Sequence, residues 1–319
     1  MAEFNFFVPA TMLGGGAGSG PVYGLITQAS SGWIQVDTGW ATDDWFGYGF
    51  TYSGTTVTGG VLTAYYASSF GEIDVGVSGL SVSAAAVAAQ VGAGSTAGVG
   101  QILASGNDVM TGYSTGADVM LGWAGNDRLS GGQGHDHLWG GTGADIIDGG
   151  AGFDYARYDY ATEGVYARLD TRQGYTGEAA GDQFVSVESL VGSGFNDVLV
   201  GDAGSNNIIG GNGVDYLWGL GGYDAIAGYA GNDFLWGGTS GDELYGHEGN
   251  DSFYWAKGDG SDYIDGGTDF DALFFTDRAS SDLTYIGMQN GVITAHFGTE
   301  HLTFTHIEAI QFTDMTQFI

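Results

Sequence analysis

The sequence predicts an all-β chain organised as a parallel β-roll, a solenoid of short strands, and three observations predict it. A nine-residue beat, Gly-Gly-x-Gly-x-Asp-x-apolar-x, runs through two stretches of the 319 residues. An apolar residue follows nearly every phased Asp by two positions, a regularity that a disordered glycine-rich tract would not keep. Finally, 38 acidic residues oppose 6 basic ones, giving a formal net charge of -32. Many of those acids occupy the Asp position of the beat, so the charge and a bound cation form one system.

The clearest copy reads Gly131-Gly132-Gln133-Gly134-His135-Asp136-His137-Leu138-Trp139, followed by Gly140 to Asp148 and Gly149 to Arg157. Degenerate copies lie upstream around Asp108, Asp118 and Asp127. A second array runs from Asp197 through Asp215, Asp224, Asp233, Asp242 and Asp251, with Asn206 in one acidic slot. Glycine permits the positive backbone dihedrals and close approaches of a tight turn. The turn carbonyls and one carboxylate are the hard oxygen donors that calcium prefers, and one turn cannot complete its shell of six to eight ligands. Two nonapeptides make one coil, so Asp residues eighteen apart, such as Asp118 with Asp136 or Asp215 with Asp233, are expected to stack and share ions. The candidate ligands are Asp108, Asp118, Asp127, Asp136, Asp145, Asp154, Asp197, Asp215, Asp224, Asp233, Asp242, Asp251, Asp262 and Asp271. The apolar slot supplies a narrow dry core from Met120, Leu129, Leu138 and Ile147 in one array, and Leu217, Ile226, Leu235, Leu244 and Phe253 in the other.

With these repeats over residues 104 to 157 and 192 to 274, the sequence resembles the RTX family, the haemolysin-type calcium-binding repeat proteins, whose signature is this nonapeptide. The resemblance implies export, unfolded, through type I secretion machinery that reads an uncleaved C-terminal signal. The segment Phe312 to Ile319, acidic then apolar, is compatible with one. The N-terminal residues lack the basic region and apolar stretch of a secretory signal peptide. No run of about twenty apolar residues predicts a membrane span. Cytosolic calcium is too scarce to neutralise the Asp clusters, so folding is expected to wait for the exterior, where metal binding becomes folding free energy. A secreted, extracellular or cell-surface location follows. The absence of cysteine fits a fold stapled by metal, and the acidity excludes nucleic acid as a partner.

In chain order, residues 1 to 103 form a small β-rich unit, with strands at Trp33 to Val36, Gly47 to Tyr52, Val57 to Tyr66 and Ile73 to Val77. Ser81 to Gln90 reads as a helix, capped by serine and rich in alanine, placed to cover the open end of the solenoid. Residues 104 to 157 are the first array. The spacer, 158 to 191, keeps strand character at Val165 to Leu169 and Phe184 to Leu190, and in similar proteins such spacers continue the solenoid in longer coils. The second array spans 192 to 274. Residues 275 to 319 form a C-terminal β cap, with strands at Leu283 to Gly287, Val292 to Phe297, His301 to Thr305 and Ile307 to Phe312.

Two features predict assembly. The apolar strand around Phe4, Phe6 and Phe7 precedes a glycine-rich tether and is placed either to join a sheet edge of another copy or to pack on its own domain. Outward positions of the second array collect Tyr216, Trp218, Phe234, Trp236 and Tyr254 on one face, against Asn207, Ile209, Ala225, Ala227, Glu243 and Tyr245 on the other. Such an aromatic stripe marks a contact surface, met by the C-terminal strands, a second subunit or carbohydrate. Catalytic motifs are not supported. Gly112-Tyr113-Ser114-Thr115-Gly116 lies in a repeat turn without a nucleophile elbow's strand-to-helix context. Nothing positions the acid pair Asp43-Asp44. His296, His301 and His306 recur every five residues, and strand alternation turns His301 away from the other two. The expected function is a non-enzymatic, secreted calcium-binding structural protein that self-assembles into an extracellular filament, surface layer or matrix. The alternative is a monomeric carbohydrate-binding adhesin or biofilm-matrix lectin, using the stripe or Trp33, Trp40 and Trp45.

Overall fold

In a computed structural model of the chain, side chains are described for residues 106–112 and 117–315. Backbone alone is described for 316–318 and for the strands Phe7–Pro9, Tyr23–Ser30, Trp33–Asp37, Thr42–Ser53, Thr56–Ser68, Gly71–Ser78 and Val82–Ser83. The chain divides into two compact units, Met1–Asp154 and Tyr155–Ile319. No helix among the described residues is long and apolar enough to cross a membrane.

In the first unit, the strands from Phe7–Pro9 to Gly71–Ser78 pair antiparallel with their neighbours in sequence. The four strands expected there fall within these spans. Phe7 lies opposite Leu25 of its own chain, while Phe4 and Phe6 fall outside the described residues. Val82 and Ser83, expected in a helix, instead pair as a strand with Val57 and Thr56; residues 84–90 lie outside the description. Gly71–Ser78 also pairs antiparallel with Val109–Gly112, the first strand of the repeats, with Val77 opposite Met110. The edge of that coil is therefore covered by a strand, where a helical lid was expected. A strand can satisfy the row of N–H and C=O groups that a sheet edge exposes.

The repeats of this unit form two parallel stacks. Val109–Gly112, Arg128–Gln133 and Ile146–Ala151 align Met110, Leu129 and Ile147. Val119–Leu121 and His137–Trp139 align Met120 with Leu138. These five side chains are buried, and the strands are short because only the one apolar residue between two turns reaches the core.

The second unit repeats the scheme at greater length. One sheet stacks Tyr166–Arg168, Val198–Val200, Tyr216–Gly221, Phe234–Thr239, Ser252–Trp255, Ala272–Phe275 and Ala309–Gln311 in parallel. Its inward residues, Leu199, Leu217, Leu235, Phe253, Leu273 and Ile310, are buried. The facing sheet stacks Tyr155–Arg157, Ser189–Val191, Asn207–Asn212, Ala225–Ala230, Glu243–Glu248, Tyr263–Thr268 and Glu300–Thr305. Spacer residues join the ladder, since Ala156 aligns with Leu190 and Ala167 with Leu199, and an antiparallel excursion at Gln173–Thr176 fills the longer coil. After the last coil the hairpin of Tyr285–Gln289 and Val292–Phe297 adds antiparallel strands to Glu300–Thr305. The C-terminal strands thus extend the sheets by edge pairing and do not fold over the aromatic stripe. Beneath them Arg278 is buried against the rings of Trp255 and Phe297 and paired with Glu300.

Candidate metal centre

The turns bring the phased Asp residues into columns along the roll. In the first unit, the Asp118 N–H donates to Asp136 Oδ1 and the Asp136 N–H to Asp154 Oδ1, both at 2.8 Å. Asp108, Asp127 and Asp145 are linked likewise at 2.7 Å. In the second unit one column runs Asp197, Asp215, Asp233, Asp251, Asp271, with bonds of 2.8–2.9 Å. The other runs Asn206, Asp224, Asp242, Asp262. Every sequence-predicted ligand therefore occupies a column slot, and every one is buried. A second ladder runs the opposite way one residue earlier. Asn196, Asn232 and Asn250 accept the N–H of Val214, Asn250 and Phe270, and His135 Nδ1 accepts that of Phe153 at 2.9 Å.

One carboxylate oxygen is thus consumed by the backbone along the columns, and at Asp127, Asp136, Asp215, Asp224, Asp233, Asp242, Asp251 and Asp271 the other faces a glycine. The second oxygens of Asp108, Asp127, Asp136, Asp215, Asp224, Asp233, Asp242, Asp251, Asp262 and Asp271 are buried without a hydrogen-bond partner. A β-carbon at Gly131, Gly219 or Gly246 would collide both with this oxygen and with a glycine carbonyl of the following coil. Each turn is a cradle of hard oxygens that a side chain at its first glycine would fill. The donor set suits calcium. No three Asp, Glu or His side chains converge among the described residues, so an ion here would be held by one or two carboxylates together with backbone carbonyls.

Burial acts on these carboxyls as physics requires, because the charged form loses its hydration. Desolvation pushes Asp215 and Asp262 up to about 8, Asp108, Asp224 and Asp251 to about 7, and Asp127, Asp233, Asp242 and Asp271 to about 6. Without a cation, Asp215 and Asp262 would hold protons at neutral pH, and the other carboxyls would take them up at or just below it. Calcium supplies the charge that lets them ionise.

The second position of each turn decides whether the oxygen stays open. It is left-handed at Gly132, Gly211 and Gly267, with φ of 96°, 116° and 106°, and also at the non-glycines Trp123, Leu220, Tyr229 and His247, with φ of 66–79°. A left-handed side chain there costs roughly 1–2 kcal/mol, so the turn imposes the conformation. Ser193 and Asp202 occupy the same position without positive φ. The Ser193 N–H and hydroxyl both bond Asp197 Oδ2, at 2.6 and 3.1 Å. The Asp202 N–H bonds Asn206 Oδ1 at 2.8 Å, and the Asn206 amide donates to the Glu188 carbonyl at 3.0 Å. The first coil of the second array is thus satisfied by the protein itself. Sequence reasoning placed Asp197 among the ligands and missed Ser193, because the beat marks the acid and not the φ two residues after the preceding strand.

The remaining histidines do not form a site. His296 and His301 face each other across the hairpin, rings 5.7 Å apart, contrary to the expected alternation, because the chain reverses between them. His301 meets Ser261 and His306 meets Asp265 at 2.7 Å. Gly112 ends a strand, and residues 113–116 of the Gly-x-Ser-x-Gly pattern lie outside the description.

The RTX calcium-binding nonapeptide repeat matches the chain in four copies, over residues 104–138, 124–156, 191–226 and 223–253. Comparison with curated proteins gives no match. Among solved structures the chain is similar to the extracellular lipase LipA from Serratia marcescens, at 22% identity and a TM-score of 0.30, covering 61% of this chain and 37% of that one. The chain therefore spans little more than a third of that structure's length. The four matched copies lie on the cradles and Asp columns, and the chain carries RTX calcium-binding nonapeptide repeats folded as a β-roll.

Proposed function

We propose that the chain is a secreted structural protein that folds on calcium outside the cell and packs against further copies of itself into an extracellular filament, layer or matrix. The observation that carries calcium-driven folding is the set of buried, unpartnered Asp oxygens in the columns. Burying an uncompensated carboxylate costs several kcal/mol, roughly, per group, and the columns hold many. A chain kept unfolded where calcium is scarce is suited to type I export.

Assembly is supported by the aromatic face. In-register pairing stacks Tyr216 on Phe234 at 4.7 Å, Trp218 on Trp236 at 4.6 Å, and Trp236 on Tyr254 at 4.3 Å. Phe274 extends the stack at 5.1 Å from Tyr254, one residue beyond the stripe traced in sequence. Trp236 lies between Trp218 and Tyr254, and Tyr254 between Trp236 and Phe274, so both faces of these inner rings are covered. Sugars stack on ring faces, so the ladder favours an apolar protein surface over a glycan, and Tyr216 remains 39% exposed. The alternative, a carbohydrate-binding adhesin, draws on a different place. A cleft of about 630 Å³ is lined by Tyr229, His247, Glu248, Asp265 and His306 among others, with one phenol ring, two imidazoles and two carboxylates in reach of a ligand. Neither reading assigns catalysis.

The test is calcium titration of the purified chain, with circular dichroism and light scattering on one sample and magnesium as control. Calcium-specific gain of β-structure followed by rising scattering is the expected result, with scattering abolished and folding kept in a Trp218→Ser/Trp236→Ser variant. A chain fully folded in chelator at pH 8 would overturn calcium-driven folding. Scattering untouched by the double variant would overturn the aromatic interface. Glycan binding by a calcium-loaded monomer would support the adhesin.

A further inference from the structure

The two Asp columns of the second unit end differently. Alignment of Tyr263 with Thr303 puts the buried Leu302 in the slot after Asp262, and that column stops at an apolar side chain. Alignment of Ala272 with Ala309 puts Glu308 in the slot after Asp271. Glu308 behaves there as another member of the column, since its Oε2 accepts the Asp271 N–H at 2.8 Å, as each Asp Oδ1 does for the Asp before it. Its own N–H donates back to the Asp271 carbonyl at 3.0 Å.

The cradle is completed in the same substitute fashion. Beside Gly246 lie Asp251 Oδ2 and the carbonyl of Gly266. Beside Gly266 lie Asp271 Oδ2 and the carbonyl of His306, a residue held at φ of 50° and anchored by its ring to Asp265. Asp271 is fully buried, and its Oδ2, aimed into this cradle, has no partner. The nonapeptide match ends at residue 253, so none of these groups belongs to a matched repeat.

We propose that Asp271, Glu308 and the His306 carbonyl form a closing calcium site, in which a glutamate of the C-terminal cap replaces the Asp of a further repeat. The site joins the last coil to the strand Ala309–Gln311 that follows Glu308, so docking of the cap depends on calcium. This proposal rests on the reading that the columns take up calcium. It is tested on the full-length chain by calcium calorimetry and native mass spectrometry. Glu308→Gln keeps an acceptor for the Asp271 N–H but removes the charge. It is expected to lose one ion from the count or to weaken one binding event roughly tenfold or more, with the circular dichroism of the calcium-saturated roll unchanged. Asp271→Asn/Glu308→Gln is expected to bind no worse than Asp271→Asn alone. Glu308→Asp, charged but shorter, should recover part of the affinity, and serves if the glutamine variant does not fold. A wild-type ion count and affinity in Glu308→Gln, or additive losses in the double variant, overturns the closing site alone. A wild-type chain that binds no calcium overturns the broader reading with it.

Discussion

The first coil of the second array and the coils after it carry the same slot and differ in what satisfies it. At Asp215, Asp224, Asp233, Asp242 and Asp251 one carboxylate oxygen accepts a backbone N–H and the other is buried with no partner. At Asp197 and Asn206 the corresponding atoms are claimed by Ser193 and Asp202. What differs is the backbone at the second position of the turn, left-handed in the open coils at Gly211, Leu220, Tyr229, Gly238 and His247. The acid supplies the charge, but the turn's handedness keeps the N–H away from it. An ion site in this roll is thus made by withholding a hydrogen bond. The non-glycines held at positive φ in this second position, Trp123, Leu220, Tyr229 and His247, record the cost of withholding it.

The largest effect expected from this contrast is between Asp233→Asn and Asp197→Asn. Asp233 has an open oxygen and links Asp215 to Asp251 in one column. Its loss should remove at least one ion, weaken the neighbouring sites, and raise the calcium needed for half-folding several-fold. Asp197→Asn removes a charge that is already fully bonded, so the ion count should stay at the wild-type value. Both are read by calorimetry and by circular dichroism against calcium. Equal losses in the two variants would dissolve the distinction between open and closed slots.

Next in size is the pH dependence. The buried carboxyls sit above the 3.8 of an ordinary Asp, at about 6 for Asp233 and Asp242 and about 8 for Asp215 and Asp262, through desolvation. A raised folded-state value means that the metal-free roll binds more protons than the unfolded chain between about pH 4 and pH 8. Stability of the metal-free roll should therefore increase as pH falls through this window, the reverse of a salt-bridged carboxylate. Calcium competes for the same oxygens, so its apparent affinity should rise from pH 6 to pH 8. Acid is thus expected to release calcium well above the usual Asp range without by itself unfolding the roll. A calcium midpoint that does not move between pH 6 and pH 8 would contradict this account.

The repeat made the fold legible. A phased Asp followed two residues later by an apolar side chain fixed both the columns and the core, and Leu138, Ile147, Leu217 and Leu235 are buried as the beat requires. The aromatic face was legible for the same reason, since position and strand pairing are locked by an eighteen-residue coil. Legibility failed where the period was interrupted. Phe274 lies twenty residues after Tyr254 because the turn before Asp262 is longer, and it dropped out of the traced stripe. Glu308 lies 37 residues after Asp271, separated by the inserted hairpin, so no spacing rule connects them. Ser193 was invisible for another reason. It occupies a glycine position with a residue that a degenerate repeat tolerates, and only its backbone angle and hydroxyl reveal that it closes the slot.

The smallest expected effect is the most direct probe of that handedness. Ser193→Gly removes the hydroxyl that bonds Asp197 and restores a residue able to take positive φ. If the second position controls the site, the turn can then flip as at Gly211, where φ is 116° and the following acid, Asp215, keeps an open oxygen. The variant should gain one weak calcium-binding event in the titration, with little change in the calcium midpoint of folding, because only the first coil of the array is altered. Asn206 provides the internal control. Asn206→Asp alone should not gain an ion, since the Asp202 N–H remains positioned to occupy the new carboxylate, whereas Asn206→Asp with Asp202→Gly should. If charge alone sufficed, the single Asn206→Asp change would bind calcium as well as the pair, and control by the turn backbone would have to be abandoned.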